Sequence, residues 1–256
     1  MNAFTSNAVE ATLASTMSAA SAITRGVYDE IVSCKSVLGM SPAEIIKRFA
    51  EALPETFVDF DKKARGDALN LDLYGYDPNQ NVAVIQIRHA FRRYKNGFLN
   101  VHKDYVLVGF NEITGQSFRH PVSAAAIRAA IRKAPQNPAA AVRGAQKWMW
   151  GVTDKQLDAS LAAGMRQGDV LLVKERTPVE SNVHEDHGTV ATIGESHEIR
   201  AQRIVTLWSD RVLALAPSLW HSKGQHAATF ADDDSWYSVR VAETAETWKW
   251  GVRLGD

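Results

Sequence analysis

The chain has 256 residues, with 29 Lys+Arg against 29 Asp+Glu, so its formal net charge is zero. Hydrophobic residues make up 45% and charged residues 23%, which excludes an intrinsically disordered, collagen-like or disulfide-framework protein. Balanced charge also excludes coating of nucleic acid by bulk electrostatics and leaves a local basic patch as the only electrostatic route.

Cys34 is the single cysteine, so no intrachain disulfide can form, and its apolar neighbours Ile31 and Val32 read as the setting of a buried thiol. No apolar run reaches the ~18 residues of a membrane helix. The start Met1-Asn2-Ala3-Phe4 has no basic-then-apolar leader. A cytoplasmic protein without a membrane partner is the expectation.

Residues 1–40 form an Ala/Ser/Thr-rich arm in which Val9, Leu13, Met17 and Ala20 recur at helical spacing. Residues 41–164 read as an α+β domain. Ser41-Pro42-Ala43-Glu44 combines an N-cap serine, proline at the first helical position and glutamate three residues after the cap. Ile46, Phe49, Ala50 and Leu53 then share a face that Pro54 ends. Val82–Ile87 and Tyr105–Phe110 have the β-branched and aromatic composition of buried strands, and Gln116–Phe118 returns as the hairpin partner of the second. Ala124–Lys133 places Ile127 and Ile131 at i,i+4 among alanines, the pattern of a helix. Trp148–Val152 resembles Trp248–Val252, which reads as coincidence or as two similar strand edges rather than a domain repeat. Thr153-Asp154-Lys155-Gln156 repeats the capping box, and Gly164 suits a left-handed helix end.

Residues 165–256 read as a β-rich domain, with strands at Val170–Lys174, Thr189–Ile193, Ile199–Leu207, Val212–Ala216, Trp236–Val241 and Thr247–Val252. The polar stretch Val183–Gly188 reads as a loop. The fold class is therefore α+β: an N-terminal helical and small-sheet region, then a barrel or jelly-roll-like C-terminal domain.

Two sets of residues carry candidate chemistry. Arg88, Arg92, Arg93, Tyr94, Lys95 and Lys103 form a basic, aromatic-interleaved stretch, suited to neutralising phosphates while Tyr94 stacks on a base. Five of the eight histidines lie between His184 and His226. Glu195 and His197, two apart on a strand, point to one side, and His226 completes a two-histidine, one-carboxylate set for a divalent transition metal. Asp232-Asp233-Asp234 reads as a turn. The chain contains no Gly-x-Gly-x-x-Gly, P-loop, nucleophile-elbow or paired Cys-x-x-Cys motif.

Arg166-Gln167-Gly168-Asp169-Val170-Leu171-Leu172 resembles the signature of a group of bacterial and phage proteins of unassigned activity, found there at the start of a compact β-domain. That group continues with a Gly-His-x-His element and a later histidine. Here the element reads Gly194-Glu195-Ser196-His197, and the later histidine resembles His226. The resemblance covers residues 165–253 and implies a boundary near Gly164 and a pairing of His197 with His226.

The leading expectation is a non-enzymatic binding or regulatory protein of phage or mobile-element type that engages nucleic acid or a host protein. The alternative is a cupin-like metal-dependent enzyme using Glu195, His197 and His226. A third is a structural protein that self-associates through its tryptophans, five of which follow residue 200.

Overall fold

The computed structural model describes residues 41–53, 68–92, 99–111, 113–194 and 196–246, with side chains omitted at 68–70, 89–92, 99 and 100. The predicted arm 1–40, Cys34 and the strand at 247–252 lie outside the described residues. The architecture is α+β, with two antiparallel sheets, one of them barrel-like and nearly closed. Among the described residues, no helix is long and apolar enough to cross a membrane.

The first unit takes the described residues up to 110, then 117–145 and 244–246. Helix α1 (Pro42–Arg48) begins with the expected capping box: Ser41 Oγ accepts from Glu44 N, and the Glu44 carboxylate accepts from Ser41 N. A 3-10 turn (Ala50–Ala52) follows it. The sheet runs in sequence order: β1 (Ala68–Asp77), β2 (Val82–Arg92), β3 (Leu99–Phe110) and β4 (Ser117–Pro121). Alternation puts Leu73, Ala83, Ile85, Ile87, Val106 and Val108 in one core cluster with Ile45, Ile46, Phe49 and Leu53. Phe49 stacks on Phe110 with ring centres 5.2 Å apart. Helix α2 (Ala124–Lys133) has the predicted bounds and is capped by Ser123, with Ile127 and Ile131 buried.

Helix α3 (Ala140–Trp150) replaces the strand edge expected at Trp148–Trp150. Ala141, Ala145 and Met149 recur at i,i+4 and are all buried, so helical burial overrides the β-preference of the two tryptophans.

The second unit takes residues 111–116 and 146–243, and the division between the units falls within α3. The physical reason is local. Helix α4 (Asp154–Ala162) packs on the following strand β6 (Val170–Glu175), and Trp150 Nε1 donates to Asp169 O at 2.8 Å. Thr153 and Gln156 cap α4 as expected, and Gly164 has φ +66°.

The remaining strands are β5 (Arg166–Gln167), β7 (Val183–Ile193), β8 (His197–Leu207), β9 (Val212–Leu215), β10 (Ser218–His221), β11 (Thr229–Phe230) and β12 (Trp236–Val241). Their order is β11-β10-β8-β9-β12-β6-β5, with β7 on the other edge of β8. The long β8 pairs with β10 over 197–200 and with β9 over 203–206, so the two shorter strands follow one another along one of its edges. Met165, Val170, Leu172, Ile199, Ile204, Leu219, Tyr237 and Val239 form its apolar interior.

Val183–Gly188 is strand rather than loop. It is the start of β7, interrupted by register shifts and mostly exposed, so polar residues face solvent on both sides and the alternation that marks a strand is missing. The Asp232–Asp234 segment is a turn: Asp233 accepts from Ser235 N and Tyr237 Oη and pairs with Lys174.

Candidate functional site

The strongest convergence of chemistry-bearing side chains lies in the β-rich unit. His197 opens β8 and His221 closes β10, and the antiparallel register sets the two directly opposite each other. Period-two alternation places His197 on the face of Ile199, and His221 on that of Leu219, both of which belong to the apolar interior. His226 enters from the turn that follows β10. The ring centres are 4.9 Å apart for His197–His221, 5.1 Å for His221–His226 and 6.5 Å for His197–His226. His197 is only 5% exposed and His221 9%.

The floor of this cluster is the two-residue hairpin between β5 and β6. Gly168 takes φ +57°, a left-handed conformation that suits such a turn. A Cβ there would lie 2.8 Å from His226 Nε2 and 3.5 Å from His197 Nε2, so both imidazole edges close on this glycine and leave no room for a side chain. Gln167 ties the floor to the walls, its amide donating to Leu219 O (3.2 Å) and Ala227 O (2.5 Å). The Asp169 carbonyl accepts from Trp150 Nε1 and Ala242 N. This holds its backbone while Oδ1 stands 3.6 Å from His197 Nδ1.

Hydrogen bonding sorts the imidazole nitrogens. Lys223 N–H donates to His221 Nδ1 at 3.2 Å, which places the proton of the neutral ring on Nε2. Asp169 Oδ1 and Ser196 Oγ (3.4 Å) both lie at His197 Nδ1, which favours a proton there and a lone pair on Nε2. Burial pushes the His226 pKa down to about 4, reinforced by His221, His197 and Arg166 and partly opposed by Asp169. His226 is therefore neutral at pH 7. Two buried acceptors, Gln167 Oε1 and Gln225 Oε1, have no hydrogen-bond partner among the described residues, and both belong to segments that build this site. Buried polar atoms in this state are the exception in folded proteins.

Of the predicted metal set, His197 and His226 are brought together, and Glu195 lies outside the described residues. His221, Gly168 and Asp169 were not singled out as site residues by sequence reasoning. Their signals were the alternation of Leu219 with His221 and the Gly-Asp turn before an apolar run. His184 and His187 remain on exposed β7, where His184 lies against the Trp208 ring and His187 Nε2 is 2.7 Å from Thr206 Oγ1. Among the described residues, no group of three or more His, Cys, Asp or Glu side chains is placed, as the side chains stand, so that it could hold a metal ion.

Of the predicted basic set, Arg88 and Lys103 stand opposite each other on β2 and β3. Arg88 is half-buried and Lys103 exposed. Arg92 closes β2, while Arg93, Tyr94 and Lys95 lie outside the described residues. Residues 88–92 and 99–103 of the stretch are thus strand. Of the tryptophans, Trp150 and Trp236 are buried, whereas Trp208 and Trp220 are exposed.

No family model, curated protein or solved structure matches the chain.

Proposed function

We propose that the β-rich unit is a metal-binding module in which His197, His226 and His221 hold a divalent transition metal at one end of the apolar interior. The convergence of these three imidazoles carries the reading. Imidazole nitrogens ~2.0–2.1 Å from a metal put ring centres ~5 Å apart in a tetrahedral set. Two of the three spacings, 4.9 and 5.1 Å, match that value, and the third is 6.5 Å. Neutral histidines suit Zn²⁺, Fe²⁺ or Ni²⁺, and the low His226 pKa removes proton competition at pH 7. His197 and His226 both bring Nε2 up against Gly168. His221 joins by turning its ring out of the hydrogen bond from Lys223 N. A bound ion would supply Lewis acidity or a structural tie between strands.

Metal analysis and calorimetric titration of the full chain with Zn²⁺ and Ni²⁺ test this reading. One equivalent bound, and lost in His197→Ala and His226→Ala, is the expected result. No uptake by the wild type, or uptake unchanged in both variants, rejects it.

The cross-strand placement of Arg88 beside Lys103 favours a second reading, in which the β2–β3 hairpin engages nucleic acid phosphates. Binding to labelled single- and double-stranded DNA and RNA should weaken with salt. The double substitution Arg92→Ala, Arg93→Ala should then reduce the salt slope by about one for each phosphate no longer neutralised. Absence of salt-sensitive binding rejects nucleic acid and turns this reading to a host protein of regulatory type.

A further inference from the structure

The outer face of the β-rich unit carries a feature that owes nothing to the histidine end. We infer that this face binds a second copy of the chain, in a two-fold dimer centred on Trp220 and Phe230.

Four strands build the face. Antiparallel register sets Val190 of β7, Arg200 of β8, Ser218 of β10 and Phe230 of β11 in one row, and Thr192, Glu198 and Trp220 in the next. Ala191, Ile199 and Leu219, which alternate with them, form or pack on the apolar interior, so both rows point outward. The solvent side of an antiparallel sheet is ordinarily polar. Here Trp220 is 37% exposed, Val190 52% and Phe230 55%. The Trp220 and Phe230 rings meet edge to face with centres 5.4 Å apart, and Arg200 Cζ lies 5.2 Å from the centre of the Trp220 ring. The indole is also fixed before any partner arrives. Its Nε1 donates to Ser218 Oγ at 3.1 Å, and that hydroxyl donates to Arg200 O at 3.2 Å. A held tryptophan beside a phenylalanine and an arginine has the composition of an interface centre, and its fixed geometry lowers the ordering cost of association.

Charge then selects the occupant. Arg200 and Glu198 lie two apart on β8, and Arg200 Nε donates to Glu198 Oε1 at 2.5 Å. The face therefore has no net charge, which gives a phosphate backbone nothing to neutralise. The whole chain is neutral too, so two copies do not repel each other at long range. Among the described residues, the Arg200–Glu198 pair engages only Nε and Oε1, which leaves both Nη groups and Oε2 for a partner. A two-fold axis over the face brings Arg200 of each copy to Glu198 of the other. Four charges then close a ring beside the aromatic centre, so the face is complementary to itself.

The test is sedimentation velocity of the full chain in the presence of a chelator, which removes metal from the outcome. Between about 100 and 0.1 µM the mean mass should fall from twice the chain mass towards one, the behaviour of a micromolar dissociation constant. Trp220→Ala should raise that constant at least ~30-fold, the loss of a central anchor. Trp208→Ala removes an exposed tryptophan beyond the other end of β8 and should leave the constant within about twofold of wild type. Arg200→Glu and Glu198→Arg should each weaken self-association about tenfold or more by opposing like charges, and an equimolar mixture of the two should recover the dimer. A chain that stays monomeric at the highest concentration overturns the inference and leaves the face to a different partner. A dimer unmoved by Trp220→Ala, one dissolved equally by Trp208→Ala, or a mixture that fails to recover it overturns the inference as well.

Discussion

Replacing Gly168 with alanine fills the space on which the proposed metal site depends. The new Cβ would sit 2.8 Å from His226 Nε2, 3.2 Å from its Cδ2 and 3.5 Å from His197 Nε2. Ordinary carbon contacts lie at about 3.5–4 Å, so the His226 ring must retreat by roughly 1 Å. A metal–nitrogen bond tolerates only about 0.2 Å around its normal length, so His226 drops out of the coordination shell. Loss of an outer partner alone costs 10–100-fold in metal affinity, so loss of a ligand should cost at least ~100-fold, about 2.7 kcal/mol. The φ of +57° adds ~1–2 kcal/mol of backbone strain for a residue with a Cβ, equivalent to a fall of about 2–8 °C in Tm. Gly188→Ala is the control. It has φ +74° but nothing within 4 Å of the added Cβ, so it carries the strain without touching the histidines. Calorimetric Zn²⁺ titration and thermal melts of both variants separate the two effects. Both should melt earlier, and only Gly168→Ala should lose the metal. Zn²⁺ affinity in Gly168→Ala within twofold of wild type would refute the reasoning.

Two further outcomes follow from the same geometry. Leu219→Ala removes a fully buried side chain beside His221 on β10 and should lower unfolding stability by about 2–5 kcal/mol in urea, whereas a loss under ~1 kcal/mol would mean that this end of the interior is loosely packed. His226 titrates near 4 when folded and near 6.5 when unfolded, so between those values the unfolded chain binds the proton that the fold refuses. The metal-free protein should therefore lose stability as pH falls from about 6.5 towards 4. His226→Gln should flatten that part of the urea-midpoint profile, and an unchanged profile would show that the ring is not held neutral.

Much of the framework is legible in the sequence because it rests on local chemistry. Capping boxes at Ser41 and Thr153 declare helix starts, and Ile127 with Ile131 declares a buried face. The apolar runs of β2 and β3 need no partner to be recognised. The rest was hidden for identifiable reasons. β7 is polar on both faces, and β10 is only four residues long and follows Pro217. The pairing of His221 with His197 spans 24 positions of chain and depends on strand register, which no local pattern records. The Arg166–Asp169 stretch reads as a domain entrance, and only the β5–β6 hairpin makes it the floor of a site.

X-ray absorption at the zinc edge of the Zn²⁺-loaded full chain tests the central claim most directly. The account predicts at least two imidazole nitrogens, and three once His221 turns inward, at about 2.0 Å from the metal, with one fewer in His226→Ala. A shell of oxygens alone, or an imidazole count unchanged by that substitution, would contradict it.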